Sequence, residues 1–216
     1  MNIKVKRILM SVLGVLLGGV SVGFFKLAAF GVDPFQSFMA GMDQLIPIKF
    51  GTLYLIVNVC LLSFALIFDR HYIGIATAVN LLLLGYVVQF TYDFLLGICP
   101  EPTMLVRILS LIFSFFVLCF ASSVYMTADM GVSTYDAIAL VMAYKWKIWK
   151  FKYIRICTDL VCVILGIVLF MLGNGAIKDI PAFVGVGTIL TAFFMGPLID
   201  FFNRKVAWKM LGEEKK

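Results

Sequence analysis

Charged residues and histidine are scarce in this chain. Of its 216 residues, 14% are charged, 62% are hydrophobic and one is a histidine, and the mean hydropathy is +1.05. A soluble protein of this length needs more polar side chains to cover its surface. The composition therefore excludes a soluble globular domain and indicates an integral membrane protein.

Residue patterns that carry catalysis or bind metals are also missing from the sequence. The five cysteines are scattered without a CxxC pair, and His71 has no adjacent cysteine or carboxylate. The sequence contains no P-loop, no HExxH motif and no recognisable serine and histidine pair. We therefore expect no enzyme activity, no metal site and no cofactor.

Six apolar stretches are long enough, or nearly so, to cross a membrane. A hydrocarbon layer of roughly 30 Å takes about 20 helical residues. The stretches are continuously apolar and do not alternate polar with apolar residues, so they predict helices and not barrel strands. The predicted spans are residues 8–30, 53–68, 73–98, 105–127, 154–172 and 180–202.

Lysine and arginine concentrate in the segments that would share one side of the membrane. The opposite side has only Lys49, Arg107 and Lys178. Because positive charge is retained in the cytoplasm, both termini are predicted to be cytoplasmic. The net charge of +6 then reflects topology and contact with the lipid bilayer. We expect no nucleic-acid partner.

The sequence repeats itself after about a hundred residues. Residues 21–36 align with 121–136, and residues 74–90 align without a gap with 185–201. This divides the chain into residues 1–103 and 104–216, with three predicted spans each. A unit with an odd number of spans inserts its second copy upside down. The predicted fold is therefore an all-α membrane protein of two inverted-topology three-helix repeats.

A short helix is predicted after the first span of each repeat. Asp33 and Ser133 can cap a new helix, and Gly31 and Gly131 before them can adopt the positive φ that ends the preceding one. The predicted short helices are Pro34–Ile46 and Thr134–Lys147, both too short to cross the membrane. Each is either interfacial or re-entrant, and the sequence leaves both interpretations open.

Three motifs resemble a known family. They are Gly-Val-Asp-Pro-Phe-Gln-Ser-Phe after a glycine-rich first span, its echo Gly-Val-Ser-Thr-Tyr-Asp-Ala-Ile, and Gly-Val-Gly-Thr-Ile-Leu followed by Gly-Pro-Leu-Ile-Asp. In order and spacing they resemble the YczE/YyaS/YitT group of bacterial membrane proteins. The resemblance implies a small multi-pass protein of the bacterial cytoplasmic membrane. It supplies neither a catalytic residue nor a substrate.

Uncharged polar side chains inside the spans are the candidate substrate-binding residues. Helical rise places Asn80 and Thr191 closest to the membrane midplane, where such groups could orient a polar solute. The alternative is hydrogen bonding between helices, which is common for these residue types. The full set of candidates is Asn80, Thr191, Thr77, Thr188 and Asn58.

Charged side chains in the same region are candidates for coupling or gating. Arg155 and Asp159 lie one helical turn apart and form either a structural ion pair or a proton-coupling site. Lys26 is either functional or extends its ammonium group to the interface. Asp33 and Asp136 place negative charge near the starts of the short helices. These residues, Asp159, Arg155, Asp33, Asp136 and Lys26, are the predicted coupling or gating set.

Three classes of function fit these features. The first is a small transporter, a carrier or exporter, for a polar or amphipathic solute that is not strongly anionic. The second is a substrate-binding membrane subunit of an ATP-driven importer, and the third is an assembly partner of another membrane complex. Small residues at Gly14 and Gly18 permit close helix packing, either inside one protomer or in a homodimer.

Overall fold

The computed structural model describes residues 2–70, 73–149 and 151–212, and the regular structure in these ranges is helical. Six helical segments are long and apolar enough to cross a membrane, which confirms the predicted number of spans. The helices are α1 (Ile3–Ala28), α2 (Pro34–Leu45), α3 (Phe50–Phe68), α4 (Ile75–Ile98), α5 (Met104–Ala128), α6 (Thr134–Leu140), α7 (Phe151–Leu172), α8 (Val186–Phe202) and α9 (Trp208–Leu211).

Several helix boundaries differ from the prediction. The last span was expected to start at residue 180, but a 3-10 helix, Ile177–Ala182, precedes α8. Pro181 lies inside that 3-10 turn, and proline disrupts the hydrogen bonding of an α-helix interior. The second short helix consists of α6 followed by a π-helical turn, Val141–Lys145.

The residue that ends the first span of each repeat lies two positions before the glycine expected to do so. Ala29 (φ 51°) and Asp129 (φ 50°) take the left-handed conformation that ends α1 and α5. Gly31 (φ 97°) and Gly131 (φ 112°) then carry the chain to the next helix start. The predicted caps are confirmed, because the side chains of Asp33 and Ser133 each accept a hydrogen bond from the backbone N–H three residues later.

Both ends of the described chain lie on one face of the helix bundle, which we call the terminal face. Arg7 at the start of α1 donates to the carbonyl of Ala128 at the end of α5 (3.3 Å). Met10 packs with Leu211 near the end of the described chain. On the opposite face, Arg107 at the start of α5 donates to the carbonyl of Ala28 (2.8 Å).

The short helices lie inside the bundle. α2 packs along α7, and its residue Gln44 reaches the carbonyl of Gly173 just beyond the end of α7 (3.2 Å). α6 starts beside the middle of α3, where Thr134 donates to Asn58, and the chain then runs toward Phe68. Most residues of both helices are buried or half-buried. Both short helices are therefore packed against other helices of the bundle over most of their length.

Glycines bring α1 close to its neighbours. A Cβ atom at Gly14 would lie 2.8 Å from the Cβ of Tyr125 on α5, and one at Gly18 would lie 3.7 Å from Leu84 on α4. Both glycines are buried within the protomer. Of the two predicted uses of Gly14 and Gly18, the structure shows close packing inside the protomer, and the homodimer stays a prediction.

Large apolar side chains cover much of the outer surface. Ile67, Phe90 and Phe193 are more than 70% exposed, and many leucine and isoleucine side chains are also exposed. A hydrocarbon environment removes the cost of such exposure. The chain is thus a multi-pass membrane protein with its apolar surface facing lipid.

The contact between α2 and α7 gives a test of the packing. We expect Gly41→Ala to destabilise the protein by about 1 to 3 kcal/mol or more, because its methyl group would overlap the backbone carbonyl of Gly166. Gly97→Ala on α4 is the control, since no atom lies within 4 Å of the added Cβ. The measurement is thermal unfolding in mild detergent. Equal melting temperatures for the two variants would contradict this packing.

Candidate functional site

A cavity of about 380 Å³ lies between the helices. Its wall includes α1 at Gly18 and Val22 and the starts of both short helices. It extends toward the terminal face along α5 and α8, as far as Met126 and Ile199. This volume is within the range of small-molecule sites, roughly 300 to 1,000 Å³. Apolar and polar side chains both face the cavity, so it suits a small solute with both characters.

The only charged groups on the wall, among the residues described, come from four side chains. Arg155 on α7 donates to Asp136 at the start of α6 and lies 3.4 Å from the carboxylate of Asp159. Its guanidinium also lies over the ring of Tyr135, 4.4 Å from the centroid. The hydroxyl of Tyr135 donates to Asp159 (2.7 Å). One cation is therefore shared by two carboxylates.

The fourth charged group, Asp33, has no such partner. Its carboxylate accepts a hydrogen bond from the backbone N–H of Gln36 (3.2 Å). Among the described residues, no lysine or arginine lies within ion-pair distance of it, although Arg155 faces the same cavity and attracts its charge from farther away. A carboxylate without a cation is costly inside a membrane bundle. Asp33 is therefore the most available charge in the cavity.

A neutral polar network occupies another part of the wall. Asn58 is buried, accepts from the hydroxyl of Thr134 and donates to the carbonyl of Tyr54 (2.8 Å). The hydroxyl of Tyr54 donates to Asn80 in a long hydrogen bond (3.4 Å). Asn58 is thus held by protein groups on both sides. Asn80 is held by a longer hydrogen bond, so its amide is the freer of the two to bind a solute.

The predicted threonines have different surroundings. Thr191 lies on the cavity wall, but its hydroxyl donates within its own helix, toward Gly187 (3.1 Å) and Thr188 (3.0 Å). Thr77 and Thr188 were expected to contact the solute, and they do not line the cavity. The hydroxyl of Thr77 donates instead to the carbonyl of Val132 (2.7 Å), and that of Thr188 donates to the carbonyl of Phe183 (3.3 Å). Their hydroxyls hold the loops that precede α6 and α8.

Lys26 lies in a separate, smaller cavity of about 160 Å³ near the opposite face. Its ammonium group is 3.8 Å from the centroid of Phe50 and 5.2 Å from that of Tyr92. Two aromatic rings therefore stabilise its charge. The structure does not bring Lys26 together with the other predicted coupling residues, which all line the larger cavity.

Sequence reasoning missed the tyrosines of the cavity wall. Tyr135 is only 9% exposed and its ring stacks on Phe35 (5.0 Å between centroids). Tyr54 precedes Asn58 by four residues, so helical spacing could have indicated a shared face. Nothing in the sequence indicated Tyr125, whose position depends on how closely α1 approaches α5.

The fold and the cavity define a class: a small, multi-pass, helical membrane protein with two short helices inside the bundle and an internal cavity lined by polar and apolar side chains. The chain belongs to a family of unknown function, DUF6198, whose model matches residues 5–204. It is also 24% identical over 173 residues to the uncharacterized membrane protein YczE of Bacillus subtilis (strain 168), covering 80% of this chain and 74% of that protein. The predicted resemblance to the YczE group is thus confirmed. No solved structure matches the chain.

The shared cation of the cavity can be tested by a double-mutant cycle. We expect Arg155→Met to destabilise the protein by about 1 to 3 kcal/mol, because Asp136 and Asp159 would be left without their counter-ion. Adding Asp136→Asn to that variant should recover part of the loss. Thermal unfolding of the wild type, both single variants and the double variant measures the coupling. Strictly additive effects would show that the two side chains are independent.

Proposed function

We propose that this protein is a small carrier or exporter of the cytoplasmic membrane, for a polar or amphipathic solute that is not strongly anionic. The observation that carries this proposal is the internal cavity with polar groups from both halves of the chain. Asp33, Asn58 and Asn80 come from the first half, and Asp136 and Asp159 come from the second. A solute bound there would contact both halves at once, which is how many secondary transporters bind their substrates.

The pattern of contacts supports an inverted repeat. The short helix of each half packs on the third helix element of the other, α2 on α7 and α6 on α3. The backbone contacts also pair off. Gly187 N–H donates to Phe30 (2.7 Å), and Ala76 N–H, at the matching place, donates to Met130 (2.9 Å). Such reciprocity is expected when two halves are related by a two-fold axis. The equivalent helices α1 and α5 run antiparallel, since the start of each lies beside the end of the other, which supports an axis in the membrane plane.

These two matched contacts suggest where the gates lie. In each, the loop after the first span of one half meets the start of the final spanning helix of the other. Glycines allow the approach, since a Cβ at Gly74 or Gly185 would overlap the carbonyls of Met130 or Phe30. We propose that opening one of these two contacts exposes the cavity to one side of the membrane while the other contact stays closed.

Energy for transport is proposed to enter through Asp159. This carboxylate faces the cavity, accepts a hydrogen bond from the hydroxyl of Tyr135 and forms an ion pair with Arg155. Proton uptake by Asp159 would weaken its attraction to Arg155 and leave that cation closer to Asp136. Arg155, Asp136 and Asp159 would therefore have two arrangements that differ by one proton, which is the minimum that a proton-coupled carrier requires.

Accessibility of the cavity tests the carrier mechanism and the orientation. In a variant with the five native cysteines replaced by serine, Ser122→Cys on the cavity wall is treated with a membrane-impermeant maleimide in oriented vesicles. We expect labelling from both sides, in proportions that change with solute or pH. A cysteine at Lys145, near the end of α3, should be labelled from the cytoplasmic side only.

Access to residue 122 from one side under all conditions would contradict the carrier. It would favour a substrate-binding subunit that works with a separate ATPase, or an assembly partner. Labelling of residue 145 from the outside would contradict the proposed orientation of the termini. Lys178, near the opposite face, offers the reciprocal control position.

Asp159→Asn tests the coupling. The asparagine keeps an oxygen that can accept from Tyr135, so the site should still fold and bind its solute. Flux driven by a pH gradient in proteoliposomes should be abolished. If Asp159 forms only a structural pair, the variant should lose thermal stability instead. Unchanged flux in a stable variant would exclude Asp159 from the mechanism.

A further inference from the structure

The cavity has an excess of negative charge. Among the residues that the structure describes, three carboxylates, Asp33, Asp136 and Asp159, face it together with one guanidinium, Arg155, and these four groups have a formal charge of −2 when all are ionised. Arg155 already contacts two of the carboxylates and one tyrosine ring. An added anion would therefore meet repulsion without a free cation, whereas an added cation would balance charge that the protein leaves uncompensated.

A second, independent feature indicates a ligand at the same wall. Tyr125 on α5 is only 8% exposed, and its hydroxyl has no hydrogen-bond partner among the described residues. A buried polar group without a partner costs about 1 to 3 kcal/mol. Tyr125 lines the cavity, so a bound molecule can supply the missing partner. Gly14 permits this position, because a larger residue there would collide with Tyr125.

Aromatic rings complete the surroundings. Phe35, Tyr54, Tyr125 and Tyr135 all line the cavity. Phe35 stacks on Tyr135 (5.0 Å) and meets Tyr54 edge to face (6.0 Å). Ring faces attract cations, and they also accommodate the apolar part of an organic molecule. At about 380 Å³ the cavity is much larger than a bare inorganic ion needs.

We propose that the cavity binds a small organic cation, with an ammonium group between Asp33 and the hydroxyl of Tyr125 and an apolar part against the aromatic rings. The ammonium N–H groups donate to the Asp33 carboxylate and to the Tyr125 oxygen. The inference deepens the proposed function, because this cation would be the transported solute. It assigns Asp33 as the counter-ion and Tyr125 as the second contact.

Three ligands of one size test the charge preference. Phenethylamine is a cation at neutral pH, 2-phenylethanol is its neutral analogue and phenylacetate is its anionic analogue. Each is titrated by calorimetry against the purified full chain in nanodiscs. We expect phenethylamine to bind at least about tenfold more tightly than 2-phenylethanol, and phenylacetate to bind most weakly. Equal binding of all three, preference for the anion, or no binding of the cation would overturn the proposal.

Two variants test the assigned contacts. Asparagine also caps helices well, so Asp33→Asn removes the charge and keeps the cap of α2. It should lower the affinity for phenethylamine about tenfold and leave the affinity for 2-phenylethanol nearly unchanged. Asp179→Asn is the control, because that carboxylate is exposed in the 3-10 turn outside the cavity. Asp33→Ser, which copies Ser133 in the other half, replaces Asp33→Asn if the latter does not fold.

Tyr125→Phe separates ligand contact from structural support. Among the described residues the hydroxyl has no hydrogen-bond partner, so its removal should slightly raise the melting temperature of the ligand-free protein. It should still lower the affinity for phenethylamine severalfold. A lower melting temperature with unchanged affinity would show that Tyr125 only supports the fold, and would overturn its assignment.

The solute class and the carrier mechanism fail in different ways. If residue 122 is labelled from both sides but the cation is not preferred, the carrier mechanism stands and the organic-cation class is wrong. If the cation binds in an Asp33-dependent manner but residue 122 is reached from one side only, the binding site stands and the carrier mechanism is wrong.

Discussion

The structure depends on a constraint set by the hydrocarbon layer: every backbone polar group inside it needs a partner within the protein. Two interrupted helices bring unpaired N–H and C=O groups into the bundle, and the chain satisfies them in a few specific ways. Side chains cap the new helices at Asp33 and Ser133. Backbone groups of the two halves meet at Phe30 and Gly187, and at Met130 and Ala76. The starts of the short helices and the contacts between the halves therefore satisfy the same backbone constraint.

The same constraint explains why polar side chains are collected at one place. A helix that starts inside the bundle brings its cap and its first turn to the centre of the bundle, so Asp33 and Asp136 lie there with the helix starts. α3 and α7 then supply Asn58 and Asp159 at the same depth. The internal cavity follows from how the short helices are placed and needs no additional loop or domain.

Much of this was predictable from the sequence, because the underlying signals are local or repeated. Apolar run length gave the six spans, and the spacing of Asp33 to Gln36 and of Ser133 to Asp136 gave the caps. Seven of the ten candidate site residues lie on the cavity wall, although their roles remain predictions. The positions of Thr77 and Thr188 outside the cavity wall were not predictable, since helical depth does not reveal that a loop backbone reaches their hydroxyls. Tyr125 was hidden because the approach of α1 to α5 depends on two helices far apart in the sequence.

The two halves differ at one matched position. The register that aligns Asn58 with Asp159 aligns Tyr54 with Arg155, so a neutral ring in one half corresponds to a cation that bridges two carboxylates in the other. In a perfectly symmetric inverted pair, the two conformations related by the axis would have equal free energy. In the proposed carrier, the ion group of Arg155, Asp136 and Asp159 belongs to the second half only, so the two conformations would differ in free energy even without a solute. The differential affinity of the solute, or a proton, would have to overcome that difference.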